Sequence, residues 1–130
     1  MINRIIKYCM QVTVAVGFMQ SAFAVNADFL PVEEAFKFTI TQTENGVVAD
    51  WAVVPGYKLY KEKILLTVPS GSAQIKKIDW PVATSYFDRT FNQNMLVYKK
   101  SISLPVQVVN LKEQSYLKVE YQGCADEGLC

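Results

Sequence analysis

The sequence of 130 residues contains no histidine, only three cysteines and no excess of charge of either sign. Without histidine there is no Cys-His or Ser-His-Asp nucleophile system, and zinc loses its commonest nitrogen ligand. Thirteen basic and twelve acidic residues leave a formal charge of +1 with no basic block, which argues against nucleic acid as a partner. Internal repeats, low-complexity tracts and a second-domain boundary are also lacking. What is present is globular: 51% hydrophobic and 19% charged residues suit one domain with a real core.

Met1 to Ala24 reads as a secretory signal peptide. Arg4 and Lys7 form its positive end, Val12 to Phe18 its short apolar stretch, and Ala22-Phe23-Ala24 the small-x-small cleavage site. Gln11 and Thr13 interrupt the apolar run, which is too short to span a bilayer comfortably. Cleavage after Ala24 would remove Cys9 and leave Cys124 and Cys130, with the charge falling from +1 to −1 as Arg4 and Lys7 go. An even pair in an exported chain belongs to an oxidising compartment, so residues 25–130 are expected to be an exported domain.

Short alternating apolar runs separated by turn residues predict an all-β domain. Phe36, Phe38 and Ile40 alternate with polar residues, and Asn45-Gly46, both tolerant of positive φ, announces a hairpin into Val47-Ala49-Trp51-Val53. Tyr57 to Thr67 offers Leu59, Ile64 and Leu66 to the core, and Ile75 to Trp80 follows a Pro-Ser-Gly-Ser turn. Pro81 to Asn94 has no period and reads as a long loop of the kind that carries function. Ile102, Leu104, Val106 and Val108 alternate cleanly, with Pro105 implying an edge or a bulge. Leu117, Val119 and Tyr121 close the pattern, and Pro31 to Ala35 is the single helical turn expected. About six to eight strands of this spacing suggest an immunoglobulin-like β-sandwich, although the cysteine pair common between its sheets is absent.

Both remaining cysteines lie instead in Gly123-Cys124-Ala125-Asp126-Glu127-Gly128-Leu129-Cys130. A hairpin there can bring the sulfurs together, with a Cα separation of about 5.5 Å. As a staple, so small a loop constrains the unfolded chain by only about 2–2.5 kcal/mol, roughly half the effect of a bridge between distant strands. As a redox pair, a glycine-flanked hairpin tip is open to another protein's thiolate. Chemistry alone leaves both open, whereas two thiolates without histidine make an incomplete metal site. Asp126 and Glu127 between the cysteines disfavour a thiolate and predict a pair that reacts mainly when a specific partner docks.

The string Tyr121-Gln122-Gly123-Cys124-Ala125-Asp126-Glu127-Gly128-Leu129-Cys130 resembles the active-site hairpin of the N-terminal periplasmic domain of the thiol:disulfide interchange protein DsbD. Gly56-Tyr57-Lys58-Leu59-Tyr60, Ser103-Leu104-Pro105-Val106 and Phe29 to Phe36 match in the family's order. The resemblance implies an immunoglobulin-like β-sandwich with a redox disulfide hairpin at one end. It implies a protein-disulfide reductase domain that takes electrons from DsbD's thioredoxin-like domain. The acceptors would be DsbC-like isomerases and thioredoxin-like proteins of cytochrome c maturation. No cofactor is implied, because the pair itself carries two electrons. Cys130 would form the mixed disulfide with partners and Cys124 would resolve it. Tyr60 would line the site, and an aromatic cap would shield the disulfide, placed by position at Phe91 with Phe87 as the alternative.

Two departures stand out. The family's acidic pair before the cap is Arg89-Thr90 here, with Asp88 one step earlier, and Lys58 replaces an aromatic. Lys58 can still lay its stem across the loop. In the family a proline-bearing segment, a further strand, the membrane domain and the thioredoxin-like domain follow, so this chain is expected to be truncated after Cys130 and to meet the membrane only through that remainder. The alternative function is a non-enzymatic exported binding module whose hairpin disulfide is structural, for which a reduction potential below about −300 mV would speak.

Overall fold

The structure, a computed structural model, describes residues 28–69 and 71–130. The expected signal peptide, with Cys9, lies outside the described residues. In chain order the elements are α1 (Val32–Ala35), β1 (Phe36–Thr43), β2 (Gly46–Val53), β3 (Tyr57–Tyr60), a 3-10 turn (Lys61–Lys63), β4 (Leu65–Thr67), β5 (Gln74–Ile78), β6 (Thr84–Asp88), β7 (Gln93–Tyr98), β8 (Ile102–Val109), β9 (Lys118–Glu120) and β10 (Gly123–Ala125).

Two four-stranded antiparallel sheets form the sandwich, ordered β1-β2-β8-β5 and β10-β3-β7-β6, with β4 and β9 pairing separately. The first sheet rests on the two longest alternating runs in the sequence. Ala49 and Trp51 of β2 and Leu104 and Val106 of β8 point inward and are almost wholly buried. Leu59 and Tyr98 meet them from the second sheet, and Ile64 joins the same core. Ring contacts of Phe38 and Tyr121 with Trp51, at centroid separations of 4.9 and 5.6 Å, add aromatic packing.

Several expectations change on folding. Ile40 is exposed, because β1 is an edge strand of eight residues and the facing sheet has strands of only three to six. The first hairpin turns on Glu44-Asn45, and Gly46 is already paired with Thr43 at φ 146°. A side chain there would run into the Val106 carbonyl, so glycine is demanded by close approach as well as by φ. Strand β8 is neither an edge nor bulged: it lies between β2 and β5. Pro105 is tolerated because its backbone faces the end of β5, where its carbonyl accepts from Asp79 N–H and no donor is needed, and the irregularity falls on β5 between Ile75 and Lys77. Pro81 to Asn94 is not a long loop. Thr84–Asp88 and Gln93–Tyr98 pair in full register around a tight turn, with Tyr86 opposite Met95.

The last strand reaches the sandwich only by close contact. A Cβ on Gly123 would lie 2.7 Å from the Lys58 carbonyl oxygen and on top of the Phe36 ring. Gly123→Ala should therefore destabilise the domain by about 1–3 kcal/mol, measured as a lower denaturant midpoint at unchanged slope.

Candidate functional site

Alternation along β3 sorts its side chains to two faces. Leu59 goes inward to the main core, while Lys58 and Tyr60 go outward. Register then assembles a second group on that outer face: Cys124 lies opposite Lys58, Val97 opposite Tyr60, and Met95 opposite Tyr86. An outward face of an antiparallel sheet normally meets water. Here Tyr60, Met95, Val97 and Cys124 are buried as a small core of their own, with Tyr86 and Phe91 packed against it.

The disulfide belongs to this second core. Cys124 and Cys130 are bonded, with Cα atoms 3.9 Å apart, closer than the sequence suggested. Strand β10 is anchored by Tyr60 N–H donating to the Gln122 carbonyl (3.1 Å) and Asp126 N–H donating to the Gly56 carbonyl (2.8 Å). The chain then folds back, with Ala125 N–H on the Leu129 carbonyl (2.7 Å) and Gly128 N–H on the Ala125 carbonyl (2.9 Å). Gly128 takes φ 103°, which glycine adopts freely. The result is asymmetric: Cys124 is 2% exposed, whereas Cys130 lies on the surface.

Phe91 packs against the outer core. Its ring meets Tyr60 edge-on at 5.5 Å, and Lys63 stands 5.6 Å above it. Phe87 is half exposed and lies outside this cluster. The turn that presents Phe91 is built on Asp88, whose carboxylate accepts from Thr90 N–H (2.8 Å), Phe91 N–H (3.3 Å) and the Tyr60 hydroxyl. Asn92 completes it at φ 52°. Burial raises the Asp88 carboxyl, but the donors from Tyr60, Thr90 and Phe91 outweigh it and hold the group below the usual aspartate value. Burial, then the bond to Asp88, pushes the Tyr60 phenol well above its usual value.

On one flank of the disulfide Asp126 is ion-paired with Lys58 (3.5 Å) and Lys99 (3.4 Å), while Glu127 is exposed. The negative charge between the cysteines is thus partly compensated. On the other flank an apolar groove of about 210 Å³ runs along Phe29, Leu30, Val32, Phe36, Tyr57 and Leu129 to both cysteines. The Tyr57 hydroxyl accepts from Leu30 N–H (2.7 Å) and holds the groove's N-terminal wall in place. Among the described residues no group of histidine, cysteine or carboxylate side chains has the arrangement of a metal site.

With this geometry in hand, the family model described as "Thiol:disulfide interchange protein DsbD, N-terminal" matches residues 26–130. The chain belongs to the DsbD N-terminal domain family. It is 33% identical over 104 residues to the thiol:disulfide interchange protein DsbD of Citrobacter koseri, covering 80% of this chain and 18% of that protein. The Haemophilus ducreyi DsbD is 32% identical over 102 residues, covering 78% and 17%. The chain therefore spans under a fifth of the length of these relatives. Among solved structures, the reduced DsbD N-terminal domain of Neisseria meningitidis superposes with a TM-score of 0.71 at 25% identity, covering 79% of this chain and 82% of that one. A complex of the DsbD N-terminal and PilB N-terminal domains from the same organism has a TM-score of 0.67 at 24% identity. The immunoglobulin-like β-sandwich implied by the DsbD resemblance is the fold found.

All six residues singled out from the sequence lie in or beside the hairpin region: Cys124, Tyr60 and Phe91 in or against the outer core, and Asp126, Glu127 and the surface Cys130 on the hairpin. Sequence reasoning missed Met95, Val97 and Lys99, and named Asp88 only as the acid ahead of the cap position. Asp88 carried a legible signal, an aspartate two and three residues before backbone donors that it can cap in an Asx-type turn. Its depressed pKa stabilises the fold above about pH 4, and that contribution is lost as pH falls through the folded value. The raised Tyr60 phenol contributes below about pH 10, and its share is lost as pH rises toward the folded value. Asp88→Asn should cost about 1–3 kcal/mol at neutral pH, and the gap from the parent chain should close below about pH 4 in denaturant titrations at matched pH.

Proposed function

We propose that this chain is a thiol–disulfide exchange domain working in the periplasm, the compartment to which its Met1–Ala24 leader would deliver it. It receives electrons from the thioredoxin-like domain of DsbD. It passes them to DsbC-like isomerases and to thioredoxin-like proteins of cytochrome c maturation. The observation that carries this reading is the asymmetry of the pair: Cys130 lies on the surface, and Cys124 is buried in the outer core with Tyr60, Met95 and Val97. A staple gains nothing from exposing one sulfur, whereas exchange requires one sulfur within reach of an incoming thiolate.

The steps follow from that geometry. In the reduced domain the Cys130 thiolate attacks a disulfide sulfur of the acceptor, and the acceptor's other sulfur leaves as a thiolate that takes up a proton. The Cys124 thiolate, its proton lost to solvent, then attacks Cys130 within the mixed disulfide. The Cys124–Cys130 bond forms and the acceptor's second sulfur departs as a thiolate. Two electrons have moved from the pair to the acceptor, and the donor domain restores the dithiol by the reverse exchange. Docking is supported by the apolar groove beside Cys130, and the relative from Neisseria meningitidis forms a complex with the PilB N-terminal domain.

Cys124→Ser should trap the mixed disulfide, giving a reducible covalent adduct through Cys130 with a periplasmic thioredoxin-fold protein. A folded sample that forms none would return the pair to a structural role. If Phe91 is the cap, Phe91→Ala should speed reduction of the pair by a small thiol several-fold, whereas Phe87→Ala should leave the rate unchanged. An unchanged rate in Phe91→Ala would remove Phe91 from the role.

A further inference from the structure

The exchange scheme leaves one buried charge unused. Lys58 is 3% exposed, yet it stands directly opposite Cys124 in the β3–β10 ladder. Opposed residues of an antiparallel pair project to the same face with Cβ atoms about 4.5–5.5 Å apart. The ammonium is held by three groups: the Ala125 carbonyl at 3.3 Å, Asp126 Oδ1 at 3.5 Å and the Tyr86 ring at 5.0 Å. Burying a lysine is costly, and an apolar side chain would fill this position at less expense. Its placement opposite a cysteine is therefore informative.

We propose that Lys58 is a positioning residue of the exchange reaction: its ammonium, held by Ala125, Asp126 and Tyr86 on the sheet face that carries Cys124, stabilises the Cys124 thiolate that closes each cycle. This rests on the exchange reading above. Burial disfavours a Cys124 thiolate, and that thiolate is the nucleophile that must attack Cys130 in the mixed disulfide. A nearby cation offsets the desolvation, and the Cys124 proton leaves to solvent.

The surrounding charges are consistent with this division. Asp126 is shared with Lys99, which also stands 4.7 Å over the Tyr86 ring. Asp88 faces Lys58 from β6, but its oxygens are engaged by Tyr60, Thr90 and Phe91. Glu127 and Arg89 are exposed, and Lys63 lies over Phe91. Lys58 is thus the cationic residue that strand register sets opposite Cys124.

The test uses the full chain carrying Cys9→Ser and Cys130→Ser, so that Cys124 is the sole thiol, and follows its ionisation by ultraviolet thiolate absorbance against pH. Lys58→Met should move the midpoint upward by about one pH unit, leaving roughly tenfold less thiolate at neutral pH. Lys58→Gln should follow it, and Lys58→Arg should keep the parent midpoint. Where Lys58→Met fails to fold, the Gln and Arg variants decide. An unmoved midpoint in a folded Met or Gln variant overturns the proposal, as does an equal shift in all three. The readout needs no partner: an adduct from Cys124→Ser with an unmoved midpoint rejects the role of Lys58 alone. A moved midpoint without an adduct keeps the coupling and rejects the exchange reading.

Discussion

The short ladder between β3 and β10 is the constraint from which the site follows. It pairs three residues on each side, Gly123 to Ala125 with Tyr57 to Leu59, and is extended by the bonds from Tyr60 N–H to Gln122 and from Asp126 N–H to Gly56. Because side chains alternate along a strand, this register puts Cys124 and Lys58 together on the outer face and leaves Leu59 to the main core. A slip of one residue would turn Cys124 inward and Gly123 outward, and the disulfide would lose its cover. Gly123 makes the register possible, since anything larger would collide with Phe36 and the Lys58 carbonyl.

A second consequence is that the sandwich carries two cores of unequal size. The main one holds the sheets together through Trp51, Leu104, Val106 and Leu59. The outer one, around Tyr60, Met95, Val97 and Cys124, is roofed by a single turn whose shape depends on Asp88.

The charges around the hairpin are arranged in balance rather than in excess. Asp126 lies between Lys58 and Lys99, both of which also stand over the Tyr86 ring. Acidic residues inside the cysteine loop therefore act against two nearby cations, one of them buried and shielded from salt.

The sequence by itself determined the all-β class, the closely spaced cysteine pair, the hairpin near Asn45 and the inward positions of β2 and β8. Each of these is a local property: alternation, turn chemistry and spacing are read within a few residues. The candidate site was legible where a motif carried it, as with Cys124, Cys130 and Tyr60. Only the tertiary structure decided that the stretch from Pro81 to Asn94 contributes to a hairpin, because its outward-facing Tyr86 and Asp88 are half-buried and buried against neighbouring strands and break the usual polar alternation. It also decided that Pro105 sits in a central strand, that Asp88 braces Tyr60, and that Lys58 faces Cys124. Those facts join residues far apart in the chain, and strand order and register, which local pattern does not encode, bring them together.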